Sequence, residues 1–405
     1  MKILFITDNF PPEVNAPAVR TYEHCLEWIK KGADVTIITC APNFPEGKLY
    51  EGYKNKIKQV EWIDGIKVIR VWSYITANEG FVKRVVDYLS FAVSSFFAGL
   101  FVKSDIIVAT SPQFFTTWSG WALSKLKRKP WIFELRDLWP ESIKTVGAIK
   151  QSKIIRFLEK IEIGLYKSSD KVIAVTEAFK KNLVSRGIES SKVDVVTNGA
   201  NLELFRPKKK NEDLVKKLGL ERKFVVGYIG THGMAHNLEF IIKSISKIED
   251  PEIHFLFVGG GAMKKRVVEL ATEMGLKNAT FHDPVAKDEI PKYISVTDAA
   301  LVPLKKSDTF KTVIPSKIFE SCSMGKPIIL GVEGQAKEIV ESYNAGLSFE
   351  PENENELIEI IYRIKSNPEL YNKLQEGCFN LANDFDRKKL AGKMYEIIEG
   401  VVDKK

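Results

Sequence analysis

At 405 residues the chain is longer than one ordinary core can serve, so two domains are expected. A hydrophobic share of 44% fits a globular protein, and no segment is of low complexity or visibly repeated. The net charge of +8 admits nucleic acid, acidic lipid or a phosphorylated substrate as partner, or simply a solvated basic face, as at Lys208-Lys-Lys210. The chain lacks arginine-rich helices and zinc-finger spacing, which argues against a nucleic-acid partner read by sequence. Its cysteines, Cys25, Cys40, Cys322 and Cys378, form no paired motif. That points to a reducing, cytoplasmic setting and away from a thiolate metal site. Lys2 leads straight into Ile3-Leu-Phe-Ile6, so no signal peptide is expected.

The first half alternates apolar runs with segments of helical period. Strands are predicted at Lys2–Thr7, Asp34–Thr39, Lys67–Val71, Asp105–Ala109, Trp131–Leu135, Lys171–Val175 and Asp194–Thr197. Helices are predicted at Ala18–Lys30, Gln113–Leu126, Lys153–Lys167 and Glu177–Arg186. Uninterrupted apolar strands separated by helices imply a parallel sheet covered on both faces. Leu204-Phe-Arg-Pro-Lys-Lys-Lys210 breaks the rhythm and reads as an exposed linker. Alternation restarts with strands at Phe224–Ile229, Ile253–Val258, Ala299–Val302, Pro327–Leu330 and Leu347–Phe349. From about Asn353 the chain is helical, and a last helix near Arg387–Val402 is expected to return across the junction. The expected fold class is therefore α/β: two Rossmann-like domains facing each other across a cleft, with residues 1–203 and 204–385 as the domains and 386–405 as a crossover helix. Ligands in such sheets bind beyond the carboxyl ends of the strands.

Motifs at those strand ends carry the candidate chemistry. A dehydrogenase is disfavoured, because Asp8-Asn-Phe-Pro-Pro-Glu13 stands where its glycine-rich turn would be. The loop Pro11–Arg20 is stiffened by prolines, and the small residues from Asn15 to Ala18 leave room for a sugar or phosphate. Arg20 can reach an anion or pair with Glu13. Asn43-Phe-Pro-Glu-Gly47 is a second stiff polar loop. Phe133-Glu-Leu-Arg-Asp-Leu-Trp-Pro-Glu-Ser142 crowds Glu134, Arg136, Asp137 and Glu141 after a strand. Such charges either pair with one another to staple the loop or meet a polar ligand. In Tyr228-Ile-Gly-Thr-His-Gly-Met-Ala-His-Asn237, Gly230 and Gly233 allow close backbone approach, Thr231 offers a hydroxyl, and His232 can donate to phosphate. His236 or Asn237 is expected to cap the next helix. Gly259-Gly-Gly261 reads as a tight turn that can approach a ligand.

Thr312-Val-Ile-Pro-Ser-Lys-Ile-Phe-Glu320 opens a short helix, predicted over Ser316–Met324, after Pro315. Free amides at a helix start attract phosphate, and a carboxylate one turn on, Glu320, can accept both hydroxyls of a ribose. The same residues also suit an ordinary capped helix. Residues 85–102 form a separate puzzle. Tyr88 to Val102 is uncharged and follows Lys83 and Arg84. A crossing needs about 20 such residues, so the segment is either a buried helix or one that dips a face into a bilayer.

Taken together, these motifs resemble the family-four retaining glycosyltransferases, which have the GT-B architecture. They are most similar to a bacterial N-acetylfucosamine-transferase branch of O-antigen and capsule synthesis. The residues that carry the resemblance are Pro11-Pro-Glu13 with Asn15-Ala-Pro-Ala18, Pro42-Asn-Phe-Pro-Glu-Gly47 with Tyr50-Glu-Gly-Tyr53, Glu134–Ser142, Gly230-Thr-His-Gly233, and Pro315-Ser-Lys-Ile-Phe-Glu320. Three departures stand out. Thr312 replaces the first glutamate of the family's paired motif, Arg136-Asp137 stands where a His-Asp pair is common, and the basic pair after the second domain's first strand is missing.

The resemblance implies transfer of an N-acetylated amino sugar from a UDP-sugar to a saccharide on undecaprenyl diphosphate, at the inner face of an anionic membrane. Donor contacts are then expected from Gly230, Thr231, His232, Gly233, Gly261, Pro315, Ser316, Lys317, Ile318 and Glu320, with Pro284 and Val285 beside the uracil. Asp137, Arg136, Lys317 and Glu141 are the expected catalytic residues, and Glu13, Asn15, Ala16, Arg20 and Asn43 the acceptor contacts. No metal or cofactor is expected. A UDP-amino-sugar 2-epimerase and an inactive membrane scaffold are the competing readings.

Overall fold

A computed structural model describes residues 1–44, 46–76, 81–111, 113–138 and 153–404. The chain divides into two compact units, Met1–Asn198 with Arg387–Lys405, and Gly199–Asp386. The first contains β1 (Lys2–Ile6), β2 (Asp34–Cys40), β3 (Lys58–Ile63), β4 (Ile66–Val71), β5 (Ile106–Thr110), β6 (Trp131–Leu135), β7 (Lys171–Ala174) and β8 (Val193–Val195). They lie in one sheet in the order β3-β4-β2-β1-β5-β6-β7-β8. Ile3, Leu4, Phe5 and Ile6 are all buried, as expected of a strand covered by helices on both faces.

The exception to parallel pairing is β3, which runs antiparallel to β4 through a turn at Asp64 and Gly65, both at positive φ. This hairpin was not anticipated. As an edge strand it leaves Val60 and Trp62 exposed, so it lacks the continuous apolar run of its neighbours. The Asp-Gly pair was the available signal. The last helix, Arg387–Val402, belongs to the first unit. Leu390, Met394 and Ile398 join Trp28 in one apolar cluster, and the Trp28 indole donates to the Ala391 carbonyl at 2.9 Å.

Helix Phe81–Leu100 is two-faced. Phe91, Ala92 and Ser95 are buried, and Phe96 packs on the core. Val86, Leu89, Val93 and Phe97 form an exposed stripe at helical spacing that continues into Phe101. Among the described residues no helix is long and apolar enough to cross a membrane.

The second unit holds β9 (Phe224–Ile229), β10 (Ile253–Val258), β11 (Ala279–His282), β12 (Ala299–Pro303), β13 (Ile328–Gly331) and β14 (Gly346–Ser348). They pair in parallel in the order β11-β10-β9-β12-β13-β14. The strand order reverses between β9 and β12, so the loops leaving these two strands diverge and open a crevice at their carboxyl ends. Within the segment read as a linker, Phe205 is buried against Ile294 and Met324, and Lys208–Lys210 are exposed.

Candidate functional site

The loops after β9 and β12 bring the second unit's predicted residues together. Gly230 to Gly233 leave β9, and helix Lys317–Ser323 follows β12 through Pro315 and Ser316. In that short helix the amides of Ile318 and Phe319 turn back to the carbonyls of Pro315 and Ser316. The amides before them lie outside the helix's own ladder. Ser316 makes no side-chain cap. Thr312 ends a 3-10 turn with its hydroxyl donating to the Thr309 carbonyl at 2.9 Å.

The glycine turn after β10 shoulders this loop. The His232 amide donates to the Gly260 carbonyl at 2.7 Å, and the Met263 amide to the His232 carbonyl at 2.9 Å. Gly259 and Gly261 adopt φ of +141° and +143°, and a Cβ on either would strike the backbone of Gly230 or His232. Only glycine allows that approach. Pro284 lies against Gly260, and Val285 packs on the neighbouring core. Lys264 ties the turn down through the carbonyls of Gly259 and His282 and the Asp283 carboxylate, at 2.9, 2.7 and 2.7 Å.

Nitrogen donors converge at the centre. Lys317 Nζ sits 3.8 Å from the centroid of the Tyr228 ring and is buried without a hydrogen-bond partner. His232 is 0% exposed, and neither of its ring nitrogens is partnered, nor is Nδ1 of His236. Burial pushes the Lys317 amine down to about 7, against the opposing pull of Glu320. Burial, with Lys317 nearby, holds His232 and His236 at about 4. At neutral pH both imidazoles are therefore uncharged, each with one N–H to donate. Buried polar atoms normally find partners. A cluster of buried nitrogens with none has the chemistry to donate to an anionic ligand that accepts hydrogen bonds. Among the described residues no group of His, Cys, Asp or Glu is placed to hold a metal ion.

Tyr228 has no role in the motif reading of this loop; the available signal is its position two residues before Gly230, near the end of β9. His236 and Asn237 need correction as caps. Asn237 stands at the N-cap position of helix Leu238–Ile245, but its backbone is left-handed (φ +48°, ψ +42°) rather than extended and its side chain makes no cap; its side-chain nitrogen donates to Glu352 at 3.1 Å.

In the first unit the predicted residues fall into two groups. Glu13 is 2% exposed. Its oxygens accept the amides of Asn43 and Phe44, each at 2.9 Å, and that of Phe10 at 3.3 Å, which closes two loops on one carboxylate. The Asn43 side chain donates to the Ala41 carbonyl at 2.9 Å.

The second group surrounds the start of helix Ala16–Lys30. Asn15 caps it by accepting the Ala18 amide at 3.0 Å, which is why the helix begins two residues earlier than predicted. Arg20 does not pair with Glu13, whose oxygens are already engaged. It donates instead to Glu134 at 3.1 Å and to the Val196 carbonyl at 2.9 Å. Arg136 is half-buried, reaches the Pro17 carbonyl at 3.3 Å, and is pushed down to about 10, chiefly by burial. Asp137 is half-buried beside it, and Glu141 lies outside the described residues, as do Trp139, Pro140 and Ser142.

Comparison with known proteins covers both units. Residues 18–204 match the family described as Glycosyltransferase Family 4, and residues 209–378 the family described as Glycosyl transferases group 1. WcaI of Escherichia coli (strain K12), named for a glycosyl-transfer step of colanic acid biosynthesis, is 25% identical over 372 residues, spanning 88% of this chain and 90% of its own. The sucrose-phosphate synthase structure from Thermosynechococcus elongatus matches with a TM-score of 0.80 at 18% identity, over 100% of both chains. Anabaena HepE in complex with UDP-glucose matches with a TM-score of 0.73 at 17% identity, over 99% of this chain and 100% of its own. These likenesses establish the fold as GT-B, built from two parallel-sheet α/β domains.

Proposed function

We propose that this chain, whose residues 18–204 match Glycosyltransferase Family 4 and whose residues 209–378 match Glycosyl transferases group 1, moves an N-acetylated amino sugar, FucNAc-like, from a UDP-sugar to a saccharide carried on a lipid diphosphate. The setting is cell-surface polysaccharide synthesis of the O-antigen or capsule kind, a reading supported by the likeness to WcaI. The observation that carries the donor assignment is the set of buried, unpartnered nitrogens of Lys317, His232 and His236 at the β9–β12 reversal. A diphosphate supplies the acceptors they lack. HepE, of the same fold, has been solved with UDP-glucose.

In this proposal Lys317, His232 and the first amides of helix Lys317–Ser323 stabilise the charge that grows on the leaving diphosphate. Glu320 accepts the ribose hydroxyls, and Pro284-Val285 flank the uracil. The bond from the anomeric carbon to UDP breaks as the acceptor oxygen bonds to that carbon on the same face. The acceptor proton passes to the departing phosphate oxygen, so configuration is retained without a protein nucleophile or a metal. Asp137 and Arg136 orient the acceptor.

Contact with an anionic membrane surface is part of the same reading. The stripe Val86, Leu89, Val93, Phe97, Phe101 is exposed, and exposed Lys83, Arg84 and Lys103 flank it. Exposed Lys125, Leu126 and Arg128 extend the basic and apolar character on helix Thr116–Lys127 and its cap, a composition suited to an interfacial anchor.

The test is a panel of UDP-sugars offered with synthetic lipid-diphosphate saccharides and read by mass spectrometry. A product one N-acetyl amino sugar heavier is expected. Conversion of a UDP-sugar without acceptor would replace transfer by isomerisation, and no turnover of any UDP-sugar would remove the donor assignment.

A further inference from the structure

Tyr228 is the penultimate residue of β9 and only 1% exposed. Its hydroxyl donates to the Thr231 carbonyl at 2.5 Å, which ties the ring to the loop that carries His232. Its face carries Lys317 Nζ at 3.8 Å. The rings of His232 and His236 stand 5.5 and 6.0 Å from its centroid, and Phe257 backs it at 6.1 Å. One ring thus lies beside all three side chains of the cluster.

The choice of an aromatic ring has a chemical consequence. A carboxylate would hold the lysine by accepting its N–H groups. A ring attracts the cation through its quadrupole and accepts no conventional hydrogen bond, so the amine stays fixed with its donors available. The other charged groups close by are Glu320, which favours the ammonium form, and Lys264, whose donors are engaged by Gly259, His282 and Asp283.

We propose that Tyr228 is a positioning residue: its ring holds the Lys317 ammonium, and its hydroxyl the His232 loop, so that their donors converge on the diphosphate of a nucleotide sugar. The proposal rests on the donor reading above. It assigns the phosphate-dependent part of donor affinity to a residue that makes no polar contact with the donor itself.

Calorimetry with UDP and with uridine separates this role from a merely structural one. Full-length wild type is compared with Tyr228→Phe, Tyr228→Leu and a chain carrying pentafluorophenylalanine at 228, whose ring keeps the shape but repels the cation. In the wild type UDP is expected to bind far more tightly than uridine. Tyr228→Phe, which keeps the ring but frees the His232 loop, should reduce that ratio by about threefold, and the other two should reduce it by about tenfold, with uridine affinity unchanged. If Tyr228→Leu melts early, the fluorinated ring, which fills the same space, decides. A wild type that binds uridine and UDP alike would overturn the donor reading. A wild type that prefers UDP, with the ratio intact in the fluorinated protein, would overturn the positioning role alone.

Discussion

Arg20 and Glu134 form an ion pair at 3.1 Å with both side chains almost fully buried, and the second oxygen of Glu134 has no hydrogen-bond partner. The pair joins helix Ala16–Lys30 to β6, and Arg20 extends it to the Val196 carbonyl beyond β8. Removing Arg20 leaves the Glu134 carboxylate buried without its ion-pair partner. Arg20→Ala is expected to destabilise the first unit by about 3–5 kcal/mol. Urea unfolding measures this; a loss below about 1 kcal/mol would show that the pair is dispensable and return Arg20 to the acceptor role.

Glu320 is assigned the ribose. Glu320→Ala should weaken UDP binding by about tenfold, the worth of charge-assisted hydrogen bonds to the diol. Calorimetry with 2′-deoxy-UDP provides the control. Wild type should lose affinity for the deoxy ligand, whereas the variant should bind both ligands equally. A variant that still discriminates between them would place the ribose elsewhere.

The Lys317 amine, pushed down to about 7 by burial, sets a pH dependence. Below that value it is already charged in the free protein. Above it, a diphosphate must draw a proton onto the amine as it binds. Affinity for UDP is therefore expected to fall as pH rises through 7 towards 9, by up to about tenfold per unit. Lys317→Met should bind weakly with a flat profile. A flat profile in the wild type would mean that the bound phosphate does not meet this amine.

Phe97 and Phe101 are 59% and 82% exposed, whereas Phe91 is 0% exposed. Phe97→Ser with Phe101→Ser should leave the melting temperature unchanged and reduce cosedimentation with anionic vesicles at least about tenfold, since each phenyl ring contributes about 1.5–3 kcal/mol when it leaves water. Phe91→Ser should instead destabilise the fold by about 3–5 kcal/mol. Undiminished vesicle binding by the double variant would exclude this face as the anchor.

Much of the fold was legible residue by residue. Trp131–Leu135, Phe224–Ile229 and Ile253–Val258 were predicted with the bounds they have in the structure, because a strand buried on both faces is a nearly continuous apolar run, interrupted here by Glu134 and His254. The edge strand β3 was missed because half its residues face water. Helix Phe81–Leu100 was ambiguous because its composition is apolar all round, and only packing decided that Phe91 faces inward and Phe97 outward. In the second unit the glycine-bounded loop and the Pro-Ser-Lys start were visible as strings of residue types suited to phosphate.

What local chemistry alone determined was the alternation of elements, and with it the parallel sheets, since periodicity and turn residues act between near neighbours in the chain. What only the tertiary structure decided was who meets whom: Lys317 on the Tyr228 ring, Glu13 on the amides of Asn43 and Phe44, and Arg20 on Glu134 rather than Glu13. Those partners come from separate strands and loops. Their meeting depends on strand order and on which polar groups are already satisfied, and neither is written in any one segment.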